Sequence, residues 1–266
     1  MGCPLLPSNM RSSEDILSLA APKADLRLTY GRDTNQFIDL RFAKSKGPHA
    51  AAICIHGGYW RAKYDLEYLG HLCAALTAGG ITTANVEYRR VGNSGGGWPG
   101  TFADVRSAYR FMKQDADRHS IDVHRVAVIG HSAGGQLALC LAAHEAELKA
   151  AVSLAGVIDL QRAYELHLSN DAVAEFLGGT PKEAGDHYRE ADPMRLAIGV
   201  PQYILHGTRD DAVPLELSQN YARAKTKENV RLTTIEDAGH FDLVDPRSGV
   251  WENVRQVVGA ALGPNP

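Results

Sequence analysis

The hexapeptide Gly130-His131-Ser132-Ala133-Gly134-Gly135 separates an apolar run, Arg125 to Ile129, that reads as a β-strand from a run, Gln136 to Ala143, that reads as a helix. A serine with glycine two residues away on each side fits a tight strand-to-helix turn, because the backbones pass closely there and a Cβ would obstruct them. Such a turn lifts the serine Oγ clear of the sheet. It also sets the unpaired N–H groups and the positive end of the next helix beneath it. Negative charge developing on a bound carbonyl oxygen is stabilised at that place. Ser132 is therefore the expected nucleophile, and the N–H of Ala133 one expected oxyanion donor.

A strand feeding directly into a helix belongs to an alternating pattern, and the pattern continues in both directions. Leu26 to Tyr30, Gln36 to Phe42, Ala50 to Ile55, Thr82 to Tyr88, Ala150 to Leu154, Gln202 to Leu205 and Val230 to Ile235 read as strands. Helices are expected at about Asp65 to Leu76, from Thr101 (with Asp104 in a capping-box spacing) to Lys113, from Glu216 to Lys225 and from Trp251 to Leu262. This rhythm predicts an α/β fold: a mostly parallel central sheet with helices on both faces, a three-layer sandwich. Residues 157–195 are polar and weakly periodic, and are expected to form a small cap insertion or, equally, a plain surface excursion. Residues 1–25 read as a loose N-terminal arm and 26–266 as a single domain.

A chain of 266 residues, 44% of them hydrophobic, buries a full core without disulfides or metal. The formal charge of -3 and the lack of a basic stripe give no reason to expect a nucleic-acid partner. Cys3, Cys54, Cys73 and Cys140 form no CxxC pair, and Cys54 and Cys140 lie in apolar runs, which suits a reducing compartment. With no apolar stretch of ~18 residues, no secretory core in the first 25 residues, and Leu6 where an N-myristoylation signal needs Ser or Thr, a cytoplasmic protein that does not enter membranes is expected. There is no HExxH, no His/Cys ligand cluster, no phosphate loop and no dinucleotide fingerprint, so neither metal nor cofactor is expected. The expected partner is a small molecule, and the sequence specifies no oligomeric state.

Attack on a carbonyl needs a second oxyanion donor and a base held by a third group. His56-Gly57-Gly58-Tyr59-Trp60 follows the strand ending at Ile55, and its glycines let the backbone turn its amides toward the serine; Gly58 and Tyr59 are the donor candidates. His56 reads as a tie for that loop, and Tyr59 and Trp60 as lining of an aromatic pocket or as core. Asp210 and His240 each follow a strand, in the order Ser, Asp, His, so three strand ends would converge. Asp210 is preferred to its neighbour Asp211 as the orienting acid, and His240 is the base. The glycine-rich stretch from Gly92 to Gly100 reads as a rim loop with Trp98 a candidate substrate contact.

Together these residues resemble the α/β-hydrolase superfamily over about residues 26–262. The likeness is to the branch of small HGG-type carboxylesterases and arylformamidases (kynurenine formamidases). The resemblance implies Ser132 as nucleophile, Asp210 as acid, His240 as base, and Gly58 with Ala133 at the oxyanion. His56-Gly57-Gly58-Tyr59-Trp60 and Gly239-His240-Phe241-Asp242 are most similar to formamidases, which often carry a histidine soon after the serine turn where this chain has Gln136. A serine hydrolase for small carboxylic esters is expected. An arylformamidase is the alternative, and a catalytically silent hydrolase-fold binding protein the alternative of another class.

Overall fold

Alternate residues of β3 (His49–Ile55) enter two different cores: Ala51, Ile53 and Ile55 pack on one side, Ala50, Ala52 and Cys54 on the other. A strand buried on both faces must lie in the middle of a covered sheet. The computed structural model, which describes residues 13–263, has β3 there. Eight strands follow the order β1-β2-β4-β3-β5-β6-β7-β8. They are β1 (Leu26–Thr29), β2 (Phe37–Arg41), β3, β4 (Thr82–Val86), β5 (Ile121–His131), β6 (Ala150–Leu154), β7 (Gln202–Gly207) and β8 (Val230–Ile235). Only β1 and β2 run antiparallel to their neighbours, and every pair from β4 to β8 is parallel.

Helices α1 (Gly70–Ala78) and α8 (Trp251–Leu262) bury Leu72, Leu76, Val254 and Val258 against one face. The other is covered by α2 (Gly100–Gln114), α3 (Ala133–His144) and α7 (Glu216–Ala224) through Val105, Leu137 and Leu217. The three-layer α/β architecture is the one expected. Parallel strands with helical crossovers bring the C-terminal ends of β3, β5, β7 and β8 to one edge, and each of the expected site motifs leaves from that edge.

Local differences have identifiable causes. β5 starts at Ile121, ahead of the apolar run, because His49 of β3 pairs with Ile121 before the register shifts. No capping box forms at α2: its N-cap is Pro99, Thr101 donates its hydroxyl to Arg89 O at 2.5 Å, and Asp104 holds the Arg89 guanidinium at 2.6 Å. The N-terminal arm is not loose where it is described, since Ser13–Ser18 forms a 3-10 turn with Ile16 fully buried in the same core as Leu69, Leu243 and Val244. Cys3, Gly2 and Leu6 lie outside the described residues. Among those described, no helix is long and apolar enough to cross a membrane.

Residues 157–195 carry α4 (Leu160–Glu165), α5 (Ala172–Leu177) and α6 (Gly185–Ala191), packed down by buried Leu160, Val173, Phe176 and Tyr188. Asp192 ties the two ends of the segment together, its Oδ1 accepting from Leu160 N at 3.2 Å and Met194 N at 3.1 Å. Burial pushes its carboxyl up to about 6, against the lowering effect of those two N–H groups. A raised carboxyl contributes stability at low pH that is lost as the pH rises through about 6. Asp192→Asn keeps the Oδ1 acceptor for Leu160 and Met194 and removes the buried charge, at the loss of the second acceptor oxygen. It is expected to melt roughly 3–8 °C above the native chain at alkaline and neutral pH, the gap closing toward acid; circular dichroism melts across that range check it.

Candidate active site

At the join of β5 and α3, Ser132 has φ 57° and ψ -125°, a strained conformation that costs about 1–3 kcal/mol. The surroundings hold it: Ser132 N donates to Leu154 O at 2.9 Å, and Ser132 O accepts from Gly135 N at 2.9 Å and Val157 N at 3.2 Å. A Cβ on Gly134 would stand 2.1 Å from Ile55 O, so only glycine lets the first turn of α3 press on the end of β3. A Cβ on Gly57 would stand 2.7 Å from the Ser132 Cβ, which brings the loop after β3 directly against the serine.

That loop turns through three consecutive positive-φ residues, Gly58 (99°), Tyr59 (49°) and Trp60 (57°). Two side chains hold the turn. Tyr59 donates its hydroxyl to Ala212 O at 2.5 Å, and Trp60 Nε1 donates to Gln136 Oε1 at 3.0 Å. Gln136 in turn donates to Ala191 O at 2.8 Å, joining the loop to the end of α6. Gly57 N–H is taken by the Tyr68 hydroxyl at 2.7 Å. Among the described residues, the N–H groups of Gly58, Tyr59 and Ala133 donate to no protein acceptor. The ring of His56 is fully buried, facing Gly57 O at 2.8 Å and Glu87 Oε1 at 3.1 Å, and it stacks on Tyr88 at 4.4 Å. Its place is that of a loop tie.

His240 follows β8 and donates from Nδ1 to Asp210 Oδ2 at 2.7 Å. The other carboxylate oxygen accepts from Ala212 N at 2.9 Å and Val213 N at 2.7 Å, while His206 Nε2 stands 3.3 Å from Oδ2. Burial alone would raise the Asp210 carboxyl. Hydrogen bonds from His206 and His240 overcome this and hold it well below the usual carboxylate range. Asp210 is therefore ionised at neutral pH while it accepts from His240. Its neighbour Asp211 is exposed, Asp237 pairs with Arg209 at 2.6 Å, and Asp242 accepts from Gly239 N at 2.7 Å.

Ser132, His240, Gly58 and Tyr59 open onto one pocket of about 170 Å³, whose walls include the rings of Tyr64, Tyr68 and Phe241. Glu14 and Leu17 of the N-terminal 3-10 turn complete it. Trp60 and Trp98 are not brought there. Trp60 is fully buried and stacked on Phe176 at 4.4 Å, because the largest apolar surface on a loop leaving a buried strand is drawn into the core. Trp98 stacks on Phe102 at 5.1 Å and donates to Glu190 at 3.3 Å, so the glycine-rich stretch packs on the 157–195 segment and contributes nothing to the rim. Sequence reasoning missed Tyr68, His206, Glu14 and Leu17. His206 alone left a local signal, as the buried polar residue at the strand end four positions before Asp210.

A parallel sheet with a serine at the strand-to-helix turn and an Asp–His pair at the same edge defines an α/β-hydrolase of the serine-hydrolase type. A family profile described as BD-FAE matches residues 38–224, and the chain belongs to that family. It is 27% identical over 248 residues to esterase LipC of Mycobacterium tuberculosis (strain ATCC 25618 / H37Rv), an alignment covering 82% of this chain and 60% of that protein. It is 28% identical over 214 residues to 2,6-dihydropseudooxynicotine hydrolase of Paenarthrobacter nicotinovorans, covering 76% of this chain and 55% of that one. The chain thus spans little more than half the length of these curated relatives. Among solved structures, a truncated carbohydrate esterase from gut microbiota superposes with a TM-score of 0.77 at 18% identity, over 91% of this chain and 97% of its own.

Asp210→Asn is expected to lower kcat about 10⁴-fold, because the amide presents the wrong partner to His240. Asp211→Asn is expected to stay within about twofold, as ordinary surface substitutions do. Initial rates on p-nitrophenyl acetate for both variants check the assignment.

Proposed function

We propose that the chain is a serine esterase that hydrolyses small carboxylic esters through an acyl-enzyme on Ser132. The reading is carried by one observation: His240, held by the buried Asp210 at 2.7 Å, opens onto the pocket that holds Ser132 and the free N–H donors after β3. In this reading His240 Nε2 takes the Ser132 proton as Oγ attacks the carbonyl carbon. The N–H groups of Ala133 and of Gly58 or Tyr59 hold the oxyanion, and ionised Asp210 stabilises the imidazolium. Protonated His240 then releases the alcohol, and water repeats the sequence on the acyl-enzyme. The two curated relatives, an esterase and a hydrolase, support the class. A cytoplasmic setting is kept as part of the proposal, supported by the buried free thiols of Cys54, Cys73 and Cys140.

An aryl formamide is the second substrate reading, favoured by the rings of Tyr59, Tyr64, Tyr68 and Phe241 around the serine, which suit a flat aromatic leaving group. Comparing kcat/KM for p-nitrophenyl esters of increasing chain length with N-formyl-L-kynurenine separates the two, with Ser132→Ala as the blank. Esters at ~10⁴ M⁻¹s⁻¹ or more, well above the formamide, are expected. The reverse order would make the chain an arylformamidase, and turnover or fluorophosphonate labelling unchanged in Ser132→Ala would remove the acyl-enzyme altogether. Leu17→Ala is expected to lower kcat/KM for the longest ester roughly 5–10-fold, as a pocket losing methyl groups does, and to leave the acetate almost unchanged.

A further inference from the structure

Three hydrogen bonds run from the loop after β3 to the backbone of the base. Gly57 N–H lies 2.7 Å from the Tyr68 hydroxyl, that hydroxyl lies 2.9 Å from His131 Nδ1, and His131 Nε2 lies 3.1 Å from the His240 carbonyl oxygen. Their direction follows from chemistry. A carbonyl only accepts, so His131 Nε2 carries a proton. Burial disfavours a second proton on this ring, with the nearby His240 acting in the same sense. Nδ1 is then bare, the Tyr68 O–H donates to it, and the Tyr68 oxygen accepts from Gly57. Every polar atom along this path has its partner, and the path has a single sense.

The Tyr68 ring is itself anchored. It meets the rings of His131 and Phe241 edge-on at 5.6 and 5.8 Å. Leu66, two residues earlier, donates its N–H to Glu87 at 3.1 Å and accepts from Asn85 at 3.0 Å, which ties the segment to the end of β4. The His240 loop is consequently pinned twice, through its ring by Asp210 and through its carbonyl by His131. Because Gly57 spends its N–H on Tyr68, the free donors begin at Gly58.

We propose that Tyr68 is a positioning residue for hydrolysis, setting the separation between the oxyanion donors after Gly57 and the base His240 by way of His131. The proposal rests on Ser132 and His240 acting as in the preceding section. Tyr68 exchanges no proton with substrate in this role. It keeps two loops at the distance that the tetrahedral intermediate needs, and misplacement of that order costs about 10²-fold in rate.

The test is Tyr68→Phe, which deletes one oxygen and keeps the ring. With p-nitrophenyl acetate, kcat is expected to fall about 10–100-fold while KM stays within about threefold, since the interaction governs transition-state geometry and not ground-state binding. In protein labelled with ¹⁵N-histidine, the His131 Nδ1 resonance is expected to move toward that of an unbonded, unprotonated nitrogen. His131→Phe removes both ring nitrogens and so breaks the same path one step later, and is expected to show the same loss in kcat at unchanged KM, even if Tyr68→Phe does not fold. The double variant is expected to fall no more than about twofold below the poorer single variant, because members of one network are not additive. Native kcat in either single variant, a loss carried by KM, or losses that multiply in the double variant would each overturn the proposal. Activity persisting in Ser132→Ala would instead overturn the acyl-enzyme reading, so the two failures are distinguishable.

Discussion

The close approach of backbone to backbone at the end of β5 is the constraint on which the rest of the edge depends. With no Cβ at position 134, the first turn of α3 lies against the carbonyl of Ile55. The loop leaving β3 is thereby brought to the same place as the serine, and the missing Cβ of Gly57 lets it close the last distance. The strain in Ser132 and in the Gly58-Tyr59-Trp60 turn is held by partners in three other elements: Leu154 of β6, Gln136 of α3 and Ala212 beyond β7. Local conformations that are unfavourable alone persist because the sheet supplies their partners from several directions.

Buried charge follows one rule at this edge. Glu87 is placed against His56 at 3.1 Å and Arg90 at 2.9 Å, and these lower its carboxyl against the opposing effect of burial. Asp210 is treated in the same manner by His206 and His240. Asp192, equally buried but without a cation, goes the other way. The difference separates two uses of a carboxylate. Where it faces a histidine it has cationic or strongly donating neighbours and stays ionised, and where it only accepts backbone N–H groups it has none.

Much of this is legible in the sequence alone. Ser132, Asp210 and His240 were readable because each follows a strand end, where local pattern and chemistry coincide in a few consecutive residues. Gly58, Tyr59 and Ala133 followed from the same logic, and their free N–H groups are consistent with it. Trp60 was ambiguous because positive φ on consecutive residues reverses the direction in which side chains leave the loop, and no periodicity encodes that. Thr101 and Asp104 had the spacing of a cap, but Arg89, near the start of the same β4–α2 connection, captures both. Tyr68 and His131 lay beyond reach for a different reason. Their meaning is a hydrogen-bond path between residues 57 and 240, which neither the setting of Tyr68 nor the place of His131 beside Ser132 reveals.

The turn at Ser13–Ser18 separates shape from chemistry in this protein. Two of its six residues, Glu14 and Leu17, contribute to the wall of the pocket at Ser132, while Ile16 is buried in the core, and the turn belongs to none of the strands that lead to Ser132, Asp210 or His240. A change of selectivity can therefore arise by exchange of this one turn, with no adjustment inside the sheet. Such an architecture gives evolution and the protein engineer a detachable die in front of an unchanged press.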